Sequence, residues 1–541
     1  MVPIPPHTRN ILLVEDREQY YVPVKRWLGE NGFQVTLEKS FQEALSALDI
    51  GHYHLAIADL YLSQGAADDK QGMWFLAEIE KRQLKEVMPC IVLTAHRNLE
   101  HVLAAFQEHK VARYILKRPG YRAELMSTVH DIFKKKLEIN FDLNYDGNSH
   151  QLISEMAHSI RSSRGLPLST DRLIPQIWDL IGKLFVKAKR LHIALMEPGL
   201  TGAVIVRAQP TWQYGLGPSY VIKIGQRDRV EKEEANYENY VKTYLPANTT
   251  TRVDATYTQH LGALLYTLAQ SEADYPLMFD QLYKYQSTEI TIAALHDLFH
   301  NTCRYWYDHR ERHIEDLPAL YHQAFQFDLS KLTGHIQTLL PGFDLTRKTF
   351  RPDETTPEVV NPIAWLTTHR AECTLPVFHS VTHGDLTGRN IIVAAPDRCW
   401  LIDFYRTENS HILRDFVVLE TDIKFRLLPT LETQTFRSLE QKLLLEEHLV
   451  DGAAYFGTVL TPEARKAASV IASLRREAHV FARGTGRFHE ARKEYLISLL
   501  MATLNVTRLP HIAPARKLHA MFSAGMLCAE LDRLAGREPL N

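Results

Sequence analysis

The first 138 residues alternate short apolar runs with longer segments whose apolar residues recur every three or four positions. Runs of the first kind predict buried strands, and segments of the second kind predict amphipathic helices. This alternation predicts an α/β domain with a doubly wound parallel sheet of five strands. The predicted strands are 10–16, 33–40, 53–60, 88–96 and 112–118, and the predicted helices are 17–32, 40–50, 72–82, 98–109 and 122–137.

The alternation ends after residue 138, and the rest of the chain has a different pattern. Turn-forming residues predict a linker, with strand pairs and then a long helical region following it. A hairpin of two short apolar strands, 390–393 and 399–404, interrupts the helical region. The predicted domains are 1–138, a linker at 139–170, a strand-rich lobe at 171–270 and a helical lobe at 271–541.

Composition narrows the class of protein. A chain of 541 residues exceeds what one hydrophobic core serves. The formal net charge of -2 lacks the basic excess that nucleic-acid binding requires, and no DNA-reading module is evident. The five cysteines form no C-x-x-C pair, which is typical of reduced thiols in the cytoplasm. No apolar run approaches the roughly 20 residues of a membrane span, and the N-terminus lacks a signal-peptide pattern. We therefore expect a soluble cytoplasmic protein without membrane insertion or nucleic-acid partners.

Polar residues end four of the five predicted strands. Glu15 and Asp16 end the first strand, Asp59 the third, Thr94 the fourth and Lys117 the fifth. Since these strand ends meet at one edge of a parallel sheet, we expect the side chains to converge. Carboxylates this close repel one another unless a cation neutralises them, and oxygen-only ligation suits Mg²⁺. The threonine hydroxyl and lysine ammonium can then serve a phosphoryl group on one carboxylate.

Residues 8–138 resemble the receiver domain of bacterial response regulators, which has a flavodoxin-like fold. The resemblance implies that Asp59 is the phosphoacceptor and that Glu15 and Asp16 bind Mg²⁺ together with it. It also implies that Thr94 and Lys117 contact the phosphoryl group. Tyr114 corresponds to an aromatic switch residue that couples phosphorylation to the fourth helix. The implied partner is a sensor histidine kinase or a phosphotransfer protein.

The strand-rich lobe contains two candidate nucleotide-binding features. The turn EPGLTG at 197–202 can lay backbone N–H groups near Gly199 and Gly202 over phosphates, although the turn alone favours an ordinary hairpin. Lys223 lies inside the apolar run YVIKI, where an unpaired ammonium is costly and an anionic partner is needed.

The helix that follows supplies a candidate carboxylate. Glu234 and Glu238 lie one turn apart on one face, and a lysine–glutamate pair at nucleotide phosphates recurs in kinases. The run EANYENYV resembles the corresponding helix of aminoglycoside phosphotransferases, which favours Glu234. Two solvated glutamates on an acidic helix remain the alternative.

The stretch THGDLTGRNIIV, residues 382–393, carries the strongest candidate chemistry. The hairpin behind it brings Asn390 beside Asp403, while Asp385 lies just ahead in the loop. A carboxylate that deprotonates a hydroxyl and oxygen ligands for Mg²⁺ on a nucleotide are the parts that phosphoryl transfer requires. His383 is better interpreted as a residue that stabilises the loop than as a base.

Residues 171–425 resemble the protein-kinase-like phosphotransferases, and most closely their aminoglycoside phosphotransferase and choline kinase branch. The motif there reads H-G-D-x-x-x-x-N followed by I-D-F or I-D-W, as it does here. The resemblance implies an α+β bilobal fold, here with a helical C-terminal extension, and ATP and Mg²⁺ as cofactors. It further implies that Asp385 is the catalytic base, that Asn390 and Asp403 bind Mg²⁺, and that Asp415 braces the loop.

Two functional hypotheses follow. The leading one is a two-component signalling protein in which Asp59 phosphorylation regulates an ATP-dependent phosphotransferase acting on a hydroxyl acceptor. The alternative is a pseudokinase scaffold that binds a partner without turnover. The retained metal-binding residues argue against the scaffold, whereas the weak glycine turn favours it. A transcription factor is disfavoured by the balanced charge.

Overall fold

The N-terminal alternation folds into a parallel five-stranded sheet in the order β2-β1-β3-β4-β5, as predicted. The computed structural model describes residues 8–62, 71–95, 109–162, 168–196, 203–243, 251–267, 277–354, 356–395, 398–429, 432–445, 461–482 and 488–537. Most of the predicted fourth helix, 98–109, lies outside these ranges. The strands are β1 Arg9–Val14, β2 Phe33–Glu38, β3 Leu55–Ala58, β4 Cys90–Thr94 and β5 Arg113–Leu116, and the helices are α1 Glu18–Glu30, α2 Phe41–Ile50, α3 Gln71–Lys81 and α4 Tyr121–Asp131.

Both faces of this sheet are covered by helices. Along β1, Leu12 and Val14 belong to a core that includes residues of α2 and α3, whereas Ile11 and Leu13 belong to a core with residues of α1 and α4. Strands buried on both faces are apolar at consecutive positions, and β3 and β4 are buried throughout. Because helices cover both faces, a ligand can reach the sheet at the carboxyl ends of its strands.

A second, seven-stranded sheet follows in the order β11-β12-β10-β8-β7-β6, with β9 paired to β8. Its strands pair antiparallel except for β6 and β7, which are parallel. The strands are β6 Asn144–Tyr145, β7 Arg190–Leu195, β8 Val204–Trp212, β9 Gly215–Leu216, β10 Tyr220–Gln226, β11 Arg252–Tyr257 and β12 Leu261–Thr267, and the helices are α5 Ser149–Ser162, α6 Thr170–Leu184 and α7 Arg227–Asn236.

Much of the segment predicted as a linker, 139–170, is part of this sheet and its core. Its β6 strand extends the sheet, and Ile153, Met156 and Ile160 of α5 are fully buried in the core beneath it. Apolar residues at helical spacing along α5 provide this contact. The described part of the segment is therefore a structural element of the second sheet.

The chain separates into two compact units, and the boundary differs from the predicted one at 138. Met1–Lys232 and Arg252–Leu268 form the first unit, so the receiver and the seven-stranded sheet lie together, while Glu233–Thr251 and Ala269–Asn541 form the second unit. Within the first unit, Asp179 of α6 accepts hydrogen bonds from Nε2 of His52 and, at 2.7 Å, of His54. Both histidines precede β3, at the sheet edge opposite Asp59.

The second unit combines small sheets with many helices. Its sheets are β13-β18-β19, β14-β17-β20 and the pair β15-β16. None of its described helices, nor those of the first unit, is long and apolar enough to cross a membrane. The strands are β13 Leu277–Met278, β14 Glu311–Asp316, β15 Thr349–Phe350, β16 Val359–Val360, β17 Thr374–Thr382, β18 Ile391–Ala395, β19 Arg398–Leu401 and β20 Glu408–His411, and the helices are α8 Phe279–Tyr285, α9 Thr288–Asp297, α10 Arg304–Asp308, α11 Leu317–Phe325, α12 Leu329–Leu339, α13 Pro362–His369, α14 Arg414–Asp422, α15 Thr433–Leu445, α16 Pro462–Ala482, α17 Phe488–Val506 and α18 Pro514–Leu534.

The C-terminal helices share a core with α14. Arg475 of α16 forms a two-pronged ion pair with Glu420 of α14, at 2.6 and 2.9 Å, and the hydroxyl of Tyr495 donates to the same carboxylate at 2.6 Å. Burial of these charges is tolerated because each is paired and hydrogen-bonded. The predicted helical extension is thus built into the second unit through α14.

Candidate functional site

An acidic cluster with one lysine occupies the carboxyl edge of the receiver sheet. Lys117 donates from Nζ to Oε2 of Glu15 and to Oδ2 of Asp59, both at 2.5 Å. Thr94, at the end of β4, is completely buried, and its carbonyl accepts a hydrogen bond from the N–H of Lys117 at 2.8 Å. The parallel register therefore brings the predicted residues of four strands to one edge.

The charges of this cluster are poorly hydrated. Burial raises the pKa of Glu15 to about 7, although the adjacent Lys117 ammonium opposes the shift. Burial also raises the pKa of Asp16, whose Oδ1 is buried without a hydrogen-bond partner. A buried carboxylate oxygen without a partner is costly unless a cation or water satisfies it. This all-oxygen donor set fits Mg²⁺.

The backbone around Asp59 is tightly held. Its N–H donates to the carbonyl of Val14 at 3.0 Å, and its Oδ1 accepts from the N–H of Tyr61 at 3.3 Å. Gly72, at the start of α3, approaches so closely that a Cβ there would lie 2.2 Å from the carbonyl oxygen of Asp59. Tyr114 is half-buried on β5, and burial raises the pKa of its hydroxyl to about 12.

In the second unit, the loop after β17 is held by a buried aspartate. Asp415 accepts from the backbone N–H groups of His383 and Gly384, at 2.7 and 2.8 Å, and from the hydroxyl of Tyr307 at 2.9 Å. Gly384 has φ of +79°, and a Cβ there would lie 2.3 Å from the carbonyl oxygen of Arg406. The glycine of the H-G-D motif is thus required by both conformation and space.

The β18–β19 hairpin brings the remaining polar residues of the motif together, as predicted. Asn390 lies opposite Ile402, whose N–H donates to the asparagine carbonyl at 3.1 Å, so Asp403 is the next residue along. The side-chain Nδ2 of Asn390 donates to the carbonyl of Asp385 at 2.7 Å, which leaves its Oδ1 as the acceptor atom. Asp403 has φ of +68°, a left-handed conformation that is uncommon for residues other than glycine.

Two further features shape this loop. His383 is fully buried, and its Nε2 donates to the carbonyl of Ile402 at 2.9 Å, which is a bracing contact between loop and hairpin. Partial burial raises the pKa of the Asp385 carboxyl, and the nearby Asp403 adds to the effect. Asp385 and Asp403 therefore form a pair of carboxylates whose negative charges favour a cation.

In helix α7, Glu233 contacts the residue after Asp403, whereas the sequence analysis selected Glu234. Glu233 is buried, and its Oε1 accepts from the N–H of Phe404 at 3.3 Å, whereas Glu234 is partly exposed. Asn236 supports the same contact by donating to the carbonyls of Phe404 and Tyr405, both at 2.9 Å. The role of Glu234 stays a prediction, and Glu233 is a second candidate that the sequence analysis did not single out.

Some residues around the loop were not predicted from the sequence. Asp422 accepts from the N–H of Gly388 at 2.8 Å and is paired with Arg426, which also reaches Asp280 at 3.1 Å. No motif marks these positions, although Asp422 lies seven residues after Asp415, on the same face of a helix.

Lys223, which is predicted to bind nucleotide phosphates, lies in the first unit. Lys223 is buried in β10, between Ile205 of β8 and Leu264 of β12, as its apolar flanks indicate. Gly199 and Gly202 lie outside the described residues.

Comparison with known proteins divides the chain into two matched regions. The family model of the response regulator receiver domain matches residues 11–130. The model of ternary complex associated domain 9 matches residues 188–338 and 344–506, together more than half of the chain. A search of curated proteins finds no match.

Solved structures similar to this chain include receiver domains. A signal receiver domain of an HD domain-containing protein from Pseudomonas fluorescens is 23% identical, with 24% of this chain and 98% of that chain covered and a TM-score of 0.22. The non-phosphorylated HemR receiver domain from Leptospira biflexa is 27% identical, with 24% and 95% covered and a TM-score of 0.21. The response regulator TrrA from Thermotoga maritima, in complex with Mg(2+)-BeF, is 25% identical, with 23% and 99% covered and a TM-score of 0.20.

Proposed function

The chain belongs to the ternary complex associated domain 9 family and carries a response regulator receiver domain before it, and from this premise we propose a phosphorylation-controlled phosphotransferase. A receiver domain implies two-component signalling, with a histidine kinase or a phosphotransfer protein as partner, and receiver domains bind Mg²⁺ at the phosphorylation site. The proposed additions are that Asp59 accepts the phosphoryl group and that the second unit is a kinase-like enzyme.

Phosphorylation at Asp59 follows from the charges around it. The P–N bond of a partner's phosphohistidine breaks as a P–O bond to Asp59 Oδ forms, and the imidazole leaves. Lys117 already contacts Asp59 and offers its positive charge to the new phosphoryl oxygens, and the Thr94 hydroxyl is proposed to donate to them. Glu15 and Asp16 would hold Mg²⁺, whose positive charge offsets that of the transferred group.

The observation that carries the enzymatic proposal is the braced loop of the second unit. Two N–H bonds to Asp415 fix His383 and Gly384, and the Asn390 amide fixes the Asp385 carbonyl, so the carboxylate is placed by the backbone. A preorganised base of raised pKa suits proton abstraction from a hydroxyl.

The proposed reaction transfers the terminal phosphoryl group of ATP to an acceptor hydroxyl. The bond from the γ-phosphorus to the bridging oxygen breaks, a bond to the acceptor oxygen forms, ADP leaves, and the hydroxyl proton passes to Asp385. Asn390 Oδ1 and the Asp403 carboxylate fit a nucleotide-bound Mg²⁺, which would neutralise phosphate charge. Within the second unit, Glu233 is the proposed glutamate at the nucleotide phosphates, with Glu234 as the alternative.

The name of the family favours a second candidate. It refers to a ternary complex, which suits a scaffold that responds to receiver phosphorylation by binding partners without turnover. The scaffold requires neither Asp385 nor bound nucleotide, so the two candidates differ in their response to the same variants.

The experiment is a measurement of ADP release by the full chain with ATP, Mg²⁺ and a panel of small and protein hydroxyl acceptors. It is run with and without beryllofluoride, which mimics the phosphorylated aspartate. In the wild type, we expect acceptor-dependent ADP release at a rate that changes with beryllofluoride. In Asp59→Asn the rate should not respond to beryllofluoride, and in Asp385→Asn the ADP release should be lost. ADP release that persists in Asp385→Asn would contradict the enzymatic proposal.

A further inference from the structure

Three clusters of two histidines and a carboxylate occur in the described part of the chain, and their ligand atoms lie within 4.8 Å of one another. Such a cluster is either a group held by hydrogen bonds or a metal site. A histidine nitrogen that makes a hydrogen bond to the carboxylate needs no metal, whereas a buried nitrogen without a hydrogen bond is available to bind one.

In two clusters, each histidine has a ring nitrogen hydrogen-bonded to the carboxylate. In the first unit, His54 Nδ1 accepts from the N–H of Asn10 at 3.1 Å, so its Nε2 carries the proton and donates to Asp179. His52 Nε2 bonds to the same carboxylate, and only its Nδ1 is buried without a partner. In the second unit, Nδ1 of His296 and Nε2 of His300 each bond to a different oxygen of Glu477, at 3.2 and 2.5 Å. Neither arrangement requires a metal.

The third cluster, which we call the β14–β17 cluster, consists of His313, Glu315 and His379. His313 and Glu315 alternate along β14 and therefore share a face, and the antiparallel register places His379 of β17 on that face opposite Glu311. The two imidazole rings lie 4.3 Å apart and 25° from parallel.

The nitrogens of this cluster are buried without hydrogen-bond partners. Nε2 of His313 and Nε2 of His379 are both inaccessible to solvent and make no hydrogen bond. A Glu315 oxygen lies 3.3 Å from Nε2 of His379, and a Glu311 oxygen lies 3.8 Å from Nε2 of His313. A buried nitrogen without a hydrogen bond costs about 1–3 kcal/mol, and a metal ion bound to both nitrogens would remove that cost.

We propose that the β14–β17 cluster binds a borderline transition metal ion, with Zn²⁺ as the natural occupant. Two neutral imidazoles and one carboxylate form a donor set typical of Zn²⁺ rather than of Mg²⁺, which prefers oxygen. Neighbouring ligands of a tetrahedral site with bonds of about 2.0–2.1 Å lie about 3.3 Å apart, which matches the spacing of Glu315 and His379.

The site joins two strands that position the loop described above. β17 ends at Thr382, immediately before His383, and β14 is its neighbour in the sheet. A metal bridging His313 and His379 would clamp β14 to β17. The inference concerns strand stability and does not depend on the proposed enzymatic function.

The test is titration of the full chain with Co²⁺, whose visible absorption reports four-coordinate nitrogen ligation, with Mg²⁺ in excess to occupy oxygen sites. Zn²⁺ is then added to displace it. We expect one equivalent of Co²⁺ to give the bands and Zn²⁺ to remove them. His313→Gln and His379→Gln should lose the bands, Glu315→Gln should shift them and weaken binding, and His300→Gln, in the hydrogen-bonded cluster, should retain them.

The outcomes separate cleanly. The proposal is overturned if the wild type shows no saturable Co²⁺ binding. It is also overturned if His300→Gln abolishes the binding while His313→Gln and His379→Gln retain it. Circular dichroism checks the fold of each variant. If a histidine variant fails to fold, Glu315→Gln decides the matter, and unchanged Co²⁺ bands and affinity in that variant count against the site.

Discussion

Asp415 and Gly384 are joined by a hydrogen bond of 2.8 Å between the buried carboxylate and the backbone N–H, and the adjacent N–H of His383 shares the same carboxylate. Hydrogen bonds to a buried charge contribute about 1.5–3 kcal/mol each. Asn at this position would turn an amide group toward one of the two donors. We expect Asp415→Asn to lower the free energy of unfolding by about 3 kcal/mol.

Urea denaturation of the full chain measures this loss. Asp344→Asn, the same chemical change at an exposed position, provides the control and should leave the free energy of unfolding close to that of the wild type. Equal stabilities for the Asp415 variant and the wild type would show that the loop does not depend on this contact.

The two adjacent glutamates of α7 give a paired prediction. Glu233→Gln keeps an oxygen for the Phe404 N–H but removes the negative charge, so we expect phosphotransfer to fall roughly a hundredfold. Glu234→Gln changes a partly exposed residue and should retain wild-type turnover. Steady-state kinetics with ATP decide between them, and the reverse order would restore Glu234 as the functional residue.

We expect phosphorylation of the receiver at Asp59 to require Mg²⁺. With acetyl phosphate and Mg²⁺, mass spectrometry should find one added phosphoryl group on the wild type. Asp59→Asn should remove it, and EDTA should prevent it because Glu15 and Asp16 then lack their cation. The exposed variant Asp142→Asn should behave as wild type. Phosphorylation of Asp59→Asn to the same extent would place the phosphoacceptor elsewhere.

Because His260 has a lowered pKa in the folded chain, we expect the protein to lose stability in acid. Burial lowers its pKa from 6.5 to about 4 in the folded chain. Below pH 6.5 the unfolded chain therefore binds a proton at His260 that the folded chain does not. The contribution of neutral His260 to the free energy of unfolding is complete above pH 6.5 and is lost as the pH falls toward 4. Unfolding free energies measured across this range should fall, and His260→Gln should reduce the slope. The exposed variant His130→Gln should leave the slope unchanged, and an unaltered slope in His260→Gln would exclude His260 as its source.

The receiver sheet was predictable because its signal is local. β3 and β4 are apolar at nearly every position, and the polar residues Asp59 and Thr94 occur where those runs stop. A parallel sheet then brings the strand ends to one edge without further information. The hairpin of Asn390 and Asp403 was predictable for the same reason, since its two apolar strands lie close together in the sequence.

The role of residues 139–162 was not predictable because β6 has only two residues and no periodicity. It pairs with β7, some 45 positions later, so its place in the sheet depends on a tertiary contact. The buried glutamate of α7 was ambiguous for a different reason. Spacings of three and four residues both follow a helix face, so Val230 and Tyr237 are compatible with either Glu233 or Glu234 between them.

The most direct test of the central claim is the thermal shift of the full chain with ATP and Mg²⁺, compared among the wild type, Asp403→Asn and the exposed control Asp142→Asn. A ligand that binds the folded state stabilises it by mass action. The account predicts a rise in the unfolding midpoint for the wild type and the control, and no rise for Asp403→Asn. An equal rise in all three proteins, or none at saturating nucleotide, would contradict a nucleotide site built on Asp403 and leave the scaffold as the function of the second unit.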